Sequence, residues 1–354
     1  MKIAVTADLH LTSIKKHADR FHALGNILDQ LVQEKIEHLI IAGDLFDKDI
    51  KNTADFESII KNKKYQHIKV HIVPGNHDPR LTHRDFTSGQ IAVYSKAEIK
   101  SFDLISLPVF FLPYIQGKTM GEVIATHKDE FAKGKWILVG HGDWFEGLRV
   151  TNPYEPGVYM PLTRADIEIF QPACAILGHI HKPTDSGLVY YPGSPSPLDI
   201  NENGKRRFLI LDSENGSVTE KEAISDFLYF NESLVVLPME DEKTFITKWV
   251  ESTIKKWSLS EHDKSRVRLR LNVSGYTTDK HKLFELLKLS FQEYRFYKNE
   301  EPDLTQVSRS EDVEKIEIVK RISTAIDKFD WPYTDEQPDK EQILLEALRV
   351  IYGE

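Results

Sequence analysis

The chain has 354 residues, of which 40% are hydrophobic and 29% are charged, and its formal net charge is −9. This length and composition fit two globular domains with a short appendage. The negative charge is not typical of a protein that binds nucleic acid by itself, and no apolar run approaches the roughly 18 residues of a membrane span.

The N-terminus and the single cysteine indicate the compartment. The stretch before Asp8 is too short an apolar segment for a signal peptide. Cys174 lies in an apolar run and has no second cysteine to pair with, so a disulfide framework is excluded. We therefore expect a cytoplasmic protein that does not associate with membranes.

Residues 1–225 alternate strand-like and helix-like patterns, which predicts a layered α/β domain. A helix is expected from His17 to Lys35, because its apolar residues are spaced to form one buried face. Five strand-like runs cover residues 3–7, 39–42, 70–73, 136–139 and 173–177. Three more cover residues 188–191, 207–211 and 217–223, and the turns between them are rich in Gly, Pro, Asn and Asp, which predicts hairpins.

Each of the first five runs is followed by a segment that carries metal-binding side chains. These segments are Asp8-Leu9-His10, Gly43-Asp44-Leu45-Phe46-Asp47, Gly75-Asn76-His77-Asp78, Gly140-His141-Gly142 and Gly178-His179-Ile180-His181. Parallel strands that end at one edge of a sheet deliver their loops to one place, so we expect the segments to converge. Aspartate, asparagine and imidazole without cysteine suit divalent ions such as Mn, Fe or Zn. The pattern predicts a two-metal hydrolytic site.

Each segment alone also has a structural explanation. An Asp-x-His pair after a strand is more often a cap and turn pair than a pair of ligands. The sequence Gly-Asn-His-Asp reads as an ordinary loop, because Gly and Asn tolerate left-handed backbone. All five segments in this order, each at the end of a strand, favour the metal site over these separate explanations.

Phosphoester hydrolysis requires neutralised phosphate charge, a nucleophile and help for the leaving oxygen. Two ions about 3.5–4 Å apart meet the first two needs, and they share a bridging carboxylate, for which Asp44 is the natural candidate. Imidazole ligands need partners that fix their orientation. A nearby histidine that is not a ligand can protonate the leaving group.

Residues 226–307 are predicted to form a smaller α/β domain of the β-α-β-α-β type. Its strands are expected at 234–237, 266–273 and 294–297, and its helices at 242–257 and 278–291. Arg266, Arg268 and Arg270 alternate with apolar residues, so the middle strand buries one face and wets the other. The arginines form either the solvent face of this domain or a face over a DNA cleft.

Residues 308–354 are predicted to form a helical tail. Ser308 and Glu311 make a capping-box pattern before the first helix, and the segment from Trp331 to Pro338 ends it. The apolar stripes of the two helices are Val319, Ile322, Ile326 and Phe329, then Leu344, Leu345, Leu348 and Ile351. Such stripes either pack on their own protein or lie in the groove of a partner.

The five segments, in this order, resemble the calcineurin-like metallophosphoesterase superfamily. The resemblance implies that Asp44 bridges two divalent ions, and that His77 is the catalytic histidine that is not a ligand, oriented by Asp47. It implies that one ion is bound by Asp8, His10, Asp44 and His181. It implies that the other ion is bound by Asp44, Asn76, His141 and His179.

Within that superfamily, three further features resemble the SbcD-type nuclease subunit of DNA double-strand-break repair complexes. They are the N-terminal Met-Lys-Ile run that leads to Asp8-Leu9-His10, the run from Leu177 to Pro183, and Tyr191-Pro-Gly-Ser-Pro195 with Leu198-Asp199. The resemblance implies a Mn-dependent DNA exonuclease and endonuclease. It also implies a homodimer within a heterotetramer, in which the C-terminal helices bind a coiled-coil ATPase of the SbcC type.

Two other functions compete with the nuclease. A phosphoesterase that acts on a small or lipid-linked phosphate would use the same metal core, but it would not need the second domain and tail. A binding scaffold without catalysis is disfavoured, because every predicted ligand position and His77 hold competent residues.

Overall fold

The computed structural model describes residues 1–48, 52–131, 134–146, 148–149, 157–237, 241–309, 313–329 and 340–352. It divides the chain into two compact units, the first of Met1–Leu198 with Lys205–Asp226, the second of Asp199–Gly204 with Phe227–Glu354. The division after Asp226 lies one residue beyond the predicted domain boundary, and the predicted tail belongs to the second unit. Glu311 of the predicted capping box and the predicted break at 331–338 lie outside the described residues.

The first unit contains fifteen strands and five α-helices within the described ranges. The strands are β1 (Lys2–Thr6), β2 (His38–Ala42), β3 (Lys69–Val73), β4 (Ile91–Val93), β5 (Glu98–Lys100), β6 (Val109–Leu112), β7 (Ile137–His141), β8 (Trp144–Glu146), β9 (Leu148–Arg149), β10 (Leu162–Thr163), β11 (Cys174–Gly178), β12 (Thr184–Ser186), β13 (Val189–Tyr191), β14 (Arg206–Asp212) and β15 (Val218–Ala223). The helices are α1 (Ala18–Glu34), α2 (Thr53–Ile60), α3 (Met120–Thr126), α4 (Lys128–Phe131) and α5 (Arg164–Phe170).

Most of these strands form two six-stranded sheets, in the orders β15-β14-β1-β2-β3-β4 and β12-β13-β11-β7-β6-β5. The strands β1 to β4 run parallel, as do β6, β7, β11 and β13. The strands that precede the five segments are therefore divided, three in the first sheet and two in the second. The expectation that they share one sheet edge is wrong.

The two sheets pack against each other through buried side chains such as Val5 and Ile40 of the first sheet and Val139 and Ile176 of the second. The opposite face of the first sheet packs on α1, and that of the second packs on α3. Strands buried on both faces read as continuous apolar runs, which is why the five runs carry no alternation. The result is the layered α/β fold that the sequence predicts.

One of the predicted hairpins is confirmed. Strands β14 and β15 pair antiparallel around the turn at 213–216. Strands β13 and β14 lie in different sheets, so the segment between them crosses from one sheet to the other. Turn-forming residues show that the chain reverses, and they do not specify which strand it pairs with next. The buried Arg206 anchors this crossing, because its Nε donates to the carbonyl oxygen of Ser194 at 2.7 Å.

The second unit is a parallel sheet with helices on both faces. Its elements are β16 (Leu228–Val236), α6 (Glu242–Lys256), α7 (Glu261–Lys264), β17 (Val267–Thr277), α8 (Lys280–Ser290), β18 (Arg295–Phe296), β19 (Asp303–Arg309), α9 (Val313–Lys328) and α10 (Lys340–Tyr352). Strand β17 pairs with β16, β18 and β19. The predicted strand at 294–297 is shorter than expected, and β19 was not predicted.

The tail helices pack on the sheet of their own unit. Val319 of α9 and Leu348 of α10 are 1% and 0% exposed, in a cluster with Val235 and Tyr276 of the sheet. Of the two possibilities for the apolar stripes, packing on the same protein therefore holds for these residues. Phe329 remains 57% exposed. Among the described residues, no helix is both long enough and apolar enough to span a membrane.

Candidate metal centre

The first two segments remain paired beyond the ends of β1 and β2. The backbone N–H of Asp8 donates to the carbonyl of Gly43 at 3.1 Å, and that of His10 donates to the carbonyl of Asp44 at 3.0 Å. Both aspartates are almost fully buried, at 0% and 1% exposure. The carboxylates are thereby fixed next to each other at the carboxyl ends of their strands.

Four of the predicted ligands have left-handed backbone, with φ of 54° at Asp8, 44° at His10, 51° at Asp44 and 102° at His179. This region is uncommon for residues other than glycine. Such conformations cost about 1–3 kcal/mol each and persist where the surrounding structure determines them. Four such conformations therefore occur at the predicted site.

Two glycines allow the loops of the two sheets to approach closely. A Cβ at Gly43, where φ is 93°, would lie 1.9 Å from Nδ1 of His141. A Cβ at Gly178 would lie 1.9 Å from the carbonyl oxygen of Ala42. A larger residue would displace the His141 ring at the first position and the backbone of Ala42 at the second, so both glycines allow the two sheets to meet at the site.

One cluster of ligand atoms joins Asp8, His10 and His181, whose donor atoms lie within 4.8 Å of one another. Nε2 of His10 lies 3.1 Å from Nε2 of His181 and 3.6 Å from Oδ2 of Asp44. These are the four residues predicted to bind the first ion.

A second cluster of ligand atoms also includes Asp44. Its Oδ2 is 3.3 Å from Nε2 of His141. Oδ1 of Asn76 lies 2.8 Å from the same Nε2 and 3.3 Å from Nδ1 of His179. Nδ1 of His141 is 3.0 Å from the carbonyl oxygen of Ala42, so in the neutral ring Nδ1 carries the proton and Nε2 can bind a metal ion.

The residues fit divalent cations. Oδ1 of Asp8 accepts a hydrogen bond from the N–H of His179 at 2.8 Å, whereas its Oδ2 is buried and has no hydrogen-bond partner among the described residues. A buried carboxylate oxygen without a donor is costly unless a cation satisfies it. Asp8 therefore presents one oxygen to the cluster and holds the loop with the other.

The electrostatic field of the site favours positive charge. Burial opposes the charged form of His141, but the carboxylates of Asp44 and Asp8 outweigh it and raise the pKa of this histidine to about 9. Burial alone would raise the pKa of Asp44, and the imidazoles of His141 and His10 bring it below its ordinary value. The attraction that would hold a proton on His141 would equally hold a divalent cation.

His77 and Asp47 lie at the edge of these clusters. Oδ1 of Asp47 is 3.4 Å from Nδ1 of His77 and 3.7 Å from Nδ1 of His10. The His77 side chain is 16% exposed. The structure thus brings the two residues together as predicted. A ring nitrogen of His77 also lies within 4.8 Å of ligand atoms of His10 and Asp44.

Two residues with no predicted role stabilise the loops of the first sheet. The carboxylate of Asp78 accepts hydrogen bonds from the N–H of Gly75 at 2.7 Å and of Phe46 at 3.1 Å, which ties the second segment to the third. Arg20 of α1 donates to the carbonyl oxygen of His10. Asp78 stood in a predicted segment, and Arg20 carried no sequence signal beyond its place in a helix.

A third such residue, Asp143, lies behind His179. Its Oδ1 is 3.5 Å from Nε2 of His179, and its Oδ2 accepts a hydrogen bond from the N–H of Tyr159 at 2.8 Å. Histidine ligands commonly direct their second nitrogen to a carboxylate. In the sequence Asp143 directly follows the segment Gly140-His141-Gly142, and nothing in that segment indicates the contact with His179.

The sequence model of the calcineurin-like phosphoesterase family matches residues 1–183, just over half of the chain. The chain belongs to the calcineurin-like phosphoesterase family. This family uses divalent metals, and the phosphoesterase carries buried Asp and His groups suited to hold them.

Among known proteins, the phosphoesterase is similar to the uncharacterized metallophosphoesterase YhaO of Bacillus subtilis strain 168, with 22% identity over 253 residues. The match covers 67% of this chain and 60% of YhaO, so this chain spans less than two thirds of that relative. Solved structures similar to the phosphoesterase include TT1561 of Thermus thermophilus, at 13% identity, with a TM-score of 0.39 and coverage of 63% of this chain and 99% of that one. Another is a dimetal phosphatase from Danio rerio, at 11% identity, with a TM-score of 0.40 and coverage of 63% and 95%.

Proposed function

We propose that this phosphoesterase is a DNA nuclease that hydrolyses phosphodiesters with two divalent ions, most suitably Mn. We further propose that it is the nuclease subunit of an SbcCD-type complex. The observation that carries the two-ion chemistry is the position of Asp44, whose Oδ2 lies 3.6 Å from Nε2 of His10 and 3.3 Å from Nε2 of His141. One carboxylate oxygen is thus within reach of both ligand clusters.

In this proposal, Asp44 is shared by two ligand sets. The first ion takes Asp8, His10, Asp44 and His181, and the second takes Asp44, Asn76, His141 and His179. Two bound ions would neutralise the phosphate and lower the pKa of a water that serves as nucleophile. The deep burial of Asp8 and Asp44 supports this role, because buried carboxylates hold cations in a setting that solvent screens weakly.

His77 is the proposed donor of a proton to the leaving oxygen of the phosphodiester. The adjacent Asp47 carboxylate would fix the tautomer of the ring and stabilise its protonated form. The partial exposure of His77, at 16%, supports a role at the substrate side of the cluster, where a leaving group can reach it.

DNA as the substrate is supported by the motifs shared with the SbcD-type subunits and by a separate second unit, which a small substrate would not need. The proposed ATPase partner would bind the outward faces of the tail helices, because Val319 and Leu348 are occupied by their own sheet. Ile318, Phe329 and Val350 remain 46%, 57% and 81% exposed there.

The test is hydrolysis by the purified chain with Mn of linear duplex DNA, hairpin DNA and bis(4-nitrophenyl) phosphate. A nuclease cleaves all three, and Asp44→Ala cleaves none. If the enzyme cleaves the small diester but leaves DNA uncleaved at every enzyme concentration, the DNA assignment is contradicted. A small or lipid-linked phosphate ester is then the favoured substrate. Co-purification with a coiled-coil ATPase of the SbcC type from the same organism tests the partner separately.

A further inference from the structure

One face of the sheet in the second unit is covered by helices at one end and carries arginine and aromatic side chains at the other. Residues that alternate along β17 share one face, which in this strand includes Arg268, Arg270 and Tyr276. At the Tyr276 end, α9 and α10 cover this face. At the opposite end, the same face carries arginine and aromatic side chains. We call this end the arginine–aromatic face, defined as Phe227, Tyr229, Arg268, Arg295 and Tyr297.

The register places these residues side by side. Tyr229 of β16 pairs with Arg268 of β17, which pairs in turn with Arg295 of β18. The Arg268 guanidinium lies 4.9 Å from the centre of the Phe227 ring. The rings of Phe227 and Tyr229 are nearly parallel, with centres 6.1 Å apart, and the Tyr229 and Tyr297 rings meet edge to face at 5.4 Å. Two guanidinium groups and three aromatic rings therefore lie together on this face.

The charges of this face are not balanced within the unit. Arg268 donates to the backbone carbonyls of Ser265 and Val267, and in the described part of the chain neither Arg268 nor Arg295 has a carboxylate oxygen within 4.0 Å. Burial and the neighbouring Arg295 both lower the pKa of Arg268. Like charges in register on neighbouring strands are unfavourable. This pair is therefore suited to an anion.

The next arginine along β17 gives the contrast. Both Nε and Nη2 of Arg270 donate to Glu300, each at 2.9 Å, and its guanidinium lies 4.9 Å from the Tyr297 ring. This arginine is neutralised by its own unit. Arg270 is thus paired with a carboxylate of its own unit, whereas Arg268 and Arg295 are available to an external anion.

We propose that the arginine–aromatic face binds single-stranded DNA, with phosphates at Arg268 and Arg295 and bases stacked on the neighbouring rings. Cationic grooves interleaved with aromatic rings are the usual means of binding single strands, because every base has a flat face. A duplex hides these faces in its own stack, so the rings favour an unpaired segment. This inference rests on the proposed nuclease function, because it names the form of DNA that the enzyme engages away from the metal centre.

The test is binding of a fluorescein-labelled oligodeoxythymidine to the full chain by anisotropy, with EDTA present to prevent cleavage. Arg268→Ala with Arg295→Ala should weaken binding about tenfold or more and reduce the slope of log affinity against log salt by about 1.4, at about 0.7 for each of two phosphates. Tyr229→Ala should also weaken binding about tenfold. The matched control is Arg164→Ala with Arg321→Ala, two exposed arginines elsewhere in the chain, which should bind like the wild type.

Hydrolysis of bis(4-nitrophenyl) phosphate with Mn should be unchanged in all these variants, which shows that they are folded. Arg295→Ala alone, at an exposed position, gives a second measurement if the double variant does not fold. Equal affinity and equal salt slope in the variant and the wild type would overturn the inference, as would a wild type that fails to bind the oligonucleotide at low salt. If the double variant loses oligonucleotide binding but the wild type does not cleave DNA, the binding role of this face is supported and the nuclease function is contradicted.

Discussion

Oδ1 of Asp47 lies 3.4 Å from Nδ1 of His77, at the edge of the two ligand clusters. A carboxylate at one ring nitrogen fixes the tautomer of a histidine and raises its readiness to carry a proton. The same oxygen is 3.7 Å from Nδ1 of His10, a proposed ligand. Asp47 therefore links the proposed proton donor to the proposed metal shell.

The first prediction concerns His77. His77→Ala should lower kcat by about 10²–10⁴, the usual contribution of acid–base help, and should leave the metal content unchanged. Turnover of DNA and elemental analysis of the dialysed protein check the two parts. A variant that loses one ion would show that His77 is a ligand instead, as its distance to His10 and Asp44 also permits.

The second prediction concerns Asp44. Asp44→Ala should abolish turnover and disturb both ions, because Oδ2 of Asp44 lies within 4.0 Å of both His10 and His141. Calorimetric titration with Mn should show two ions per chain for the wild type. Saturation at one ion per chain would exclude the two-metal mechanism.

The third prediction concerns the tail. Leu348→Ala should lower the free energy of unfolding by about 2–5 kcal/mol, because Leu348 is 0% exposed in the cluster with Val235 and Tyr276. Val350→Ala, in the same helix but 81% exposed, should change it by less than about 0.5 kcal/mol. Urea unfolding of both variants makes the comparison. Equal effects would mean that α10 does not pack on the sheet in solution.

The fourth prediction concerns pH. His71 is 3% exposed, and its ring nitrogens lie 2.9 Å from Nδ1 of His38 and 3.0 Å from the hydroxyl of Tyr94. Burial lowers the pKa of His71 to about 3. Between about pH 6.5 and 3, the unfolded chain therefore takes up a proton that the folded chain does not, so stability falls as the pH falls.

Urea unfolding between pH 8 and pH 5 measures this effect as the difference between the wild type and His71→Asn. The wild type should lose up to about 1.4 kcal/mol more per pH unit below pH 6.5. His281→Asn, at an exposed position, is the matched control and should follow the wild type. Parallel pH profiles of the wild type and His71→Asn would show that His71 is protonated in the folded state.

The sequence predicted the local elements of the site more closely than their arrangement. The helix expected at His17–Lys35 runs from Ala18 to Glu34, and the strands before the five segments begin and end within two residues of the prediction. These elements depend on local periodicity. The division of the five strands between two sheets depends on which strands pair, and apolar runs buried on both faces carry no information about that.

The same limit explains which site residues were missed. Asp8, Asp44 and the histidines were found because they follow strands and can bind metals. Asp143 lies 3.5 Å from His179 only because β7 and β11 are neighbours in the second sheet. Its role depends on a contact between residues far apart in the sequence, which no single segment reveals.

Each proposed ligand set draws on both sheets. Asp8, His10, Asp44 and Asn76 follow strands of the first sheet, and His141, His179 and His181 lie at or beyond the ends of strands of the second. A ligand that binds only when the two sheets are docked stabilises the folded state by mass action. Divalent ions would thus act as a clamp on the interior between the sheets, and a chelator would lower the melting temperature of the first unit together with its activity.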